Sequence, residues 1–143
     1  MNTKPLVTLI FVIFSCAFGF AQSTDIKTIE KQAEALAEAQ LVAYNNRDIE
    51  AFLEPYSDSV KIYNFPNDFR YQGKENMRQG YTSFFERAKD LHCELVSRTV
   101  FGNKVIDQEK VTGFSNNKDD VLYAIAIYTI ENGKISEVHF INK

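Results

Sequence analysis

Tryptophan is absent from this 143-residue chain, so the bulk of any core has to come from twelve phenylalanines and seven tyrosines. Histidine is scarce, with only His92 and His139. Without a His-x-x-x-His spacing or a cysteine pair, a transition-metal site lacks its usual ligands; no metal and no cofactor are expected. Cysteine is limited to Cys16 and Cys93. Cys93 sits among strand-forming residues with no basic cluster to activate it, so it reads as a small buried hydrophobe and not as a reactive thiol. Basic residues are not in excess either: 16 Lys and Arg against 19 Asp and Glu leave a net charge of −3. No basic stripe offsets that balance, which argues against nucleic acid as a partner. Internal repeats and low-complexity tracts are missing too. At this length, that leaves one domain with one core.

Long apolar runs are confined to the N-terminus. Lys4 precedes one over residues 5–14, which is short for a membrane span. Gly19-Phe20-Ala21 then places small residues at the two positions that a signal peptidase reads. The expectation is a signal peptide over residues 1–21 and an exported domain, periplasmic or secreted, over residues 22–143. Cleavage after Ala21 removes Cys16, leaving no internal disulfide and no stable membrane span. Ile13-Phe14-Ser15-Cys16 loosely resembles a lipobox, but Phe14 fits it badly and the residues after Cys16 stay apolar. A lipoprotein is therefore the weaker alternative.

What is present falls into alternating patterns. Ser23 or Thr24 can cap a first helix from Asp25, with an apolar stripe at Ile26, Ile29, Ala33, Leu36, Ala37, Leu41 and Tyr44. Gln40 falls inside that stripe and needs a polar partner, which makes it a pocket candidate. Asn45-Asn46-Arg47-Asp48 breaks the helix, and Asp48 can cap a second, short one before Pro55. Two short strands, residues 60–64 and 69–72, flank a Pro66-Asn67-Asp68 turn. A third helix spans residues 74–89. Two longer strands, residues 92–101 and 104–114, meet at Gly102-Asn103. A closing hairpin, residues 121–130 and 135–142, turns at Glu131-Asn132-Gly133-Lys134. Its first strand is apolar on both faces and should lie mid-sheet, buried on both sides. The order α-α-β-β-α-β-β-β-β predicts an α+β cone, a curved antiparallel sheet wrapped around helices, with an apolar mouth suited to a small ligand.

The motifs Asn45-Asn46-Arg47-Asp48, Tyr56-Ser57-Asp58-Ser59-Val60, Gly73-Lys74-Glu75 and Asn132-Gly133-Lys134-Ile135, in this order of elements, resemble the nuclear transport factor 2-like superfamily. The SnoaL-like polyketide cyclases and ketosteroid isomerases are the most similar branches. The resemblance covers residues 24–142 and implies the cone fold, whereas the fold hosts many functions. Isomerase chemistry needs a carboxylate base and two donors on an enolate oxygen. Counted along the chain, the resemblance puts the base at Asn64 and the donors at Gln40 and Ala126. All three positions have changed: an amide such as Asn64 cannot take a proton at ordinary pH, and Ala126 has nothing to donate. Two supporting tyrosines of the branch fall on Tyr56 and Tyr81.

The resulting expectation is a small-molecule-binding domain, non-catalytic, for an apolar or polar-headed ligand. Its ligand-binding residues would be Gln40, Tyr56, Asn64, Tyr81, Tyr128 and Asn142. The enzyme alternative is an isomerase, cyclase or dehydratase with Asp107 or Glu109 as the base. Those two carboxylates share one strand face, and the sequence leans toward a solvated, convex placement for them. A third alternative is a homodimer through the convex sheet face carrying Glu137, His139 and Ile141. Arg70, Arg78 and Arg98 read as surface arginines, with steering of an anionic ligand as the other reading. Asn116-Asn117-Lys118-Asp119-Asp120 lacks the spacing of a calcium loop and reads as a turn.

Overall fold

The computed structural model describes residues 15–142. Residues 1–14 of the expected signal segment, with their apolar run, lie outside the described residues. The elements are α1 (Ser15–Asn46), α2 (Ile49–Leu53), β1 (Tyr56–Asn64), β2 (Asp68–Gln72), α3 (Lys74–Arg87), β3 (His92–Phe101), β4 (Lys104–Thr112), β5 (Val121–Glu131) and β6 (Lys134–Asn142). This is the expected order. No described helix is long and apolar enough to cross a membrane.

The start of α1 differs from expectation. Ser23 and Thr24 lie within the helix and do not cap it. No proline interrupts residues 15–24, and one glycine, Gly19, is too small a penalty (about 1 kcal/mol) to stop a propagating helix. The stripe is also buried over only part of its length. Ala33, Ala37, Gln40 and Leu41 are buried, whereas Ile26 and Ile29 are exposed. The β3–β4 turn meets α1 at Glu30, whose carboxylate accepts from the Gly102 amide at 3.0 Å. Helical turns before that point run past the end of the sheet. At its other end α1 closes with Arg47 in the left-handed region (φ 55°). The Arg47 and Asp48 amides donate back to the Tyr44 and Ala43 carbonyls, which satisfies two of the last carbonyls of the helix. Asp48 then caps α2, accepting from the Ala51 amide at 3.1 Å, as its position predicts.

The six strands run in the order β2-β1-β6-β5-β4-β3. The sheet is mixed, not wholly antiparallel, because β1 and β6 pair in parallel. The cause is α3. It returns the chain so that β3 runs the same way as β2, and three reversals later β6 runs the same way as β1. β5 lies in the middle as predicted, but only one of its faces is closed. Ala124, Ala126, Tyr128 and Ile130 are buried under the helices, whereas Tyr123 is 49% exposed and Ile125 and Ile127 are half-buried on the convex side. In the single chain, helices cover the concave face alone. On the convex face His139 stacks on Tyr63 (4.6 Å between rings) and bonds Glu137 at 2.8 Å.

Aromatic rings and an amide help to hold the helices in place. Phe52 packs on Tyr56 and Tyr81, at 5.4 and 4.5 Å between ring centres. Asn45 at the end of α1 mimics a neighbouring strand for β3. Its side chain donates to the Cys93 carbonyl (3.0 Å) and accepts from the Cys93 amide (2.7 Å).

Candidate functional site

β4 carries the chemistry, and on the face opposite to the one the sequence favoured. Val105, Asp107, Glu109 and Val111 are all buried, so both carboxylates point into the cone. Burying a carboxylate is costly unless it is paired or protonated, and the two solve this differently. Asp107 is fully buried and takes two charge-assisted bonds from Arg98 across β3, at 2.8 and 2.7 Å. Arg98 also reaches Glu38 on α1 at 2.8 Å, so the ion group ties the helix to the sheet. Arg98 is thereby no surface arginine: its side chain is 9% exposed, and the bonds to Asp107 raise its proton affinity. A carboxylate locked in this way is unavailable as a base, which removes Asp107 from the catalytic candidates.

Glu109 has no such cation. It lines a half-open cavity of about 760 Å³ between α1, α3 and the concave sheet face. Desolvation, followed by the charge of Asp107 two residues away, pushes its carboxyl up to about 7, against the opposing pull of bonds from Tyr128 and Cys93 and of the Arg98 charge. Burial likewise holds the Tyr56 and Tyr128 phenols well above their ordinary value, so both are neutral donors. They form a directed chain. Tyr56 donates to the Gln40 carbonyl oxygen (3.3 Å), the Gln40 amide donates to Tyr128 (2.9 Å), and Tyr128 donates to Glu109 (3.3 Å). Each group in the line is oriented by the one before it.

Of the residues singled out in the sequence, Gln40, Tyr56, Tyr81, Glu109, Tyr128 and Asn142 come together around this cavity. Asn64 does not line it. Its amide donates instead to Asp68 (2.9 Å) across the end of the β1–β2 hairpin. Ala126 is buried beneath the helices beside Asp107 and is absent from the lining. Arg70, which the sequence left between a surface arginine and an anion-steering one, also lines the cavity, and sequence reasoning did not assign Tyr44, Tyr71, Phe84 or Cys93 to its wall. Cys93 is buried as expected, and burial followed by the charge of Glu109 pushes its thiol well up. The sequence offered a partner for Asp107 on the neighbouring strand, though not the side of the sheet on which the pair lies. A two-residue turn at Gly102-Asn103 sets Arg98 directly opposite Asp107.

Comparison with known proteins agrees with this architecture. Residues 37–138 match the family model of the SnoaL-like domain. Among solved structures, an uncharacterized cystatin fold protein from Novosphingobium aromaticivorans is 28% identical, with a TM-score of 0.69 over 77% of this chain and 97% of its own. A chain from Kribbella flavida, provisionally described as a ketosteroid isomerase, is 17% identical with a TM-score of 0.69, covering 80% of this chain and 79% of its own. Another from Jannaschia sp. CCS1, provisionally described as a SnoaL-like polyketide cyclase, is 17% identical with a TM-score of 0.67 over 80% and 88%. At that identity the last two show a common fold and nothing more. No curated protein matches the sequence.

Proposed function

This chain belongs to the SnoaL-like domain family, and on that premise we propose that it is an exported protein that binds a small, mostly apolar molecule in the cone and exchanges a proton with it through Glu109. The observation that carries this reading is a titratable carboxyl, raised to about 7, at a cavity wall and oriented by Tyr128. A general acid–base group works best when its proton affinity lies near the operating pH. The aromatic walls suit an apolar body, and the protonated acid or neutral phenols suit a carbonyl oxygen. The reaction class is proton transfer next to a carbonyl, as in isomerisation, cyclisation or dehydration. Two structural neighbours carry descriptions of that kind. Export rests on the residue pattern at the N-terminus alone.

A second reading, binding without catalysis, is favoured by Ala126, which has nothing to donate, standing where the isomerase resemblance would put a donor. Deuterium exchange separates the two. The protein is incubated in heavy water with a simple aryl ketone, and label at the α-carbon is followed by mass spectrometry. Exchange should be accelerated, and Glu109→Gln should lower the rate about 100-fold. Equal rates for wild type and Glu109→Gln would leave the binding reading in its place.

A further inference from the structure

One cavity residue is placed there by an irregularity of the sheet. β2 pairs with β1 through Ile62↔Tyr71 and then Tyr63↔Phe69, so Arg70 is the extra residue of a β-bulge. A bulge re-aims the side chain it carries, and Arg70 lines the cavity next to Tyr71. Three other arginines are engaged elsewhere. Arg47 donates to the Asn45 and Leu91 carbonyls, Arg78 pairs with Glu50 and Glu75, and Arg98 pairs with Asp107 and Glu38. The Arg70 side chain makes no hydrogen bond or ion pair with any described residue. Its charge is felt by the phenols of Tyr71 and Tyr81. A guanidinium set at the mouth of an apolar cavity, without a counter-charge, is suited to a planar anion.

We propose that Arg70 is a specificity-determining residue and that the cavity takes an amphipathic molecule with an anionic head. The apolar body lies against Tyr44, Tyr81, Phe84 and Phe140, and the carboxylate, sulfonate or phosphate ester sits at the mouth on Arg70. This rests on the cavity being a binding site, and it adds the class of molecule that the site selects.

The test uses two fluorescent probes with one body, 8-anilinonaphthalene-1-sulfonate and the uncharged N-phenyl-1-naphthylamine. They are titrated into the full chain in low salt at about pH 6, where Glu109 is mostly protonated. A charge-assisted bond at a partly exposed site predicts about ten-fold tighter binding of the sulfonate. Arg70→Gln should abolish that preference while leaving the uncharged probe unchanged, and Arg70→Lys should restore part of it. Gly80→Trp is the control that locates both probes. Gly80 lines the cavity on α3, and a Cβ there meets nothing within 4 Å, so the indole fills the space and both probes should be lost. A sulfonate preference that survives Arg70→Gln, or is absent from the wild type, overturns the role of Arg70 and leaves the cavity standing. Probes that fail to bind, or that ignore Gly80→Trp, overturn the cavity as a binding site and this inference with it.

Discussion

Replacing Arg98 by methionine is expected to destabilise the fold by about 3–5 kcal/mol, the range seen when one partner of a buried ion pair is removed. Asp107 has no exposed surface, and both of its oxygens are held by the Arg98 guanidinium at 2.7 and 2.8 Å. Methionine fills a similar volume but leaves the carboxylate buried without a counter-charge. The link from β3 to Glu38 on α1 is lost as well. Urea denaturation measures the loss. The deficit should shrink in the double variant Arg98→Met/Asp107→Leu, because an apolar pair of matched volume is often as stable as the ion pair it replaces. A deficit below about 1 kcal/mol in the single variant would mean that the pair behaves like an exposed one.

The second large effect concerns pH. The carboxyl of Glu109 rises from the ordinary 4.5 to about 7 on folding. A carboxyl raised in the folded state stabilises the fold while protonated. That contribution is fully present below about pH 4.5 and is lost as pH climbs through about 7. A shift of this size is worth up to about 3 kcal/mol. Glu109→Gln keeps the shape and can still accept from Tyr128, yet cannot ionise. Its stability relative to wild type should therefore grow by up to about 3 kcal/mol between acid and mildly alkaline solution. Parallel stability–pH curves for the two proteins would show that Glu109 titrates as it does in the unfolded chain.

The order of elements was legible because each boundary carries local chemistry. Asp48 caps α2, Gly102-Asn103 turns β3 into β4, and Asn132-Gly133, both at positive φ, turns β5 into β6. The parallel pairing of β1 with β6 was not, because it depends on how α3 returns the chain and not on any short pattern. Within the site, Gln40 was legible as the one polar residue on an apolar helix stripe, and it joins Tyr56 to Tyr128. The orientation of β4 was obscured because polar residues occupy both of its faces, and the pairing of Asp107 with Arg98 across a two-residue turn fixes a shared face without saying which one is inward. Asn64 was placed by counting back from Gly73 without a gap, and that count runs through the bulge at Arg70. Arg70 was named in the sequence as a possible anchor for an anion, but the bulge that carries it is invisible to strict strand alternation.

The measurement that bears most directly on the site is a carbon-13 NMR titration of the glutamate side-chain carboxyls, with Glu109 assigned by its absence in Glu109→Gln. A Glu109 midpoint at about 7 agrees with a carboxyl buried in the cavity beside Asp107 and poised to exchange a proton at neutral pH. A midpoint near the ordinary 4.5 would contradict it, leaving Glu109 a permanent anion and the cavity without its acid.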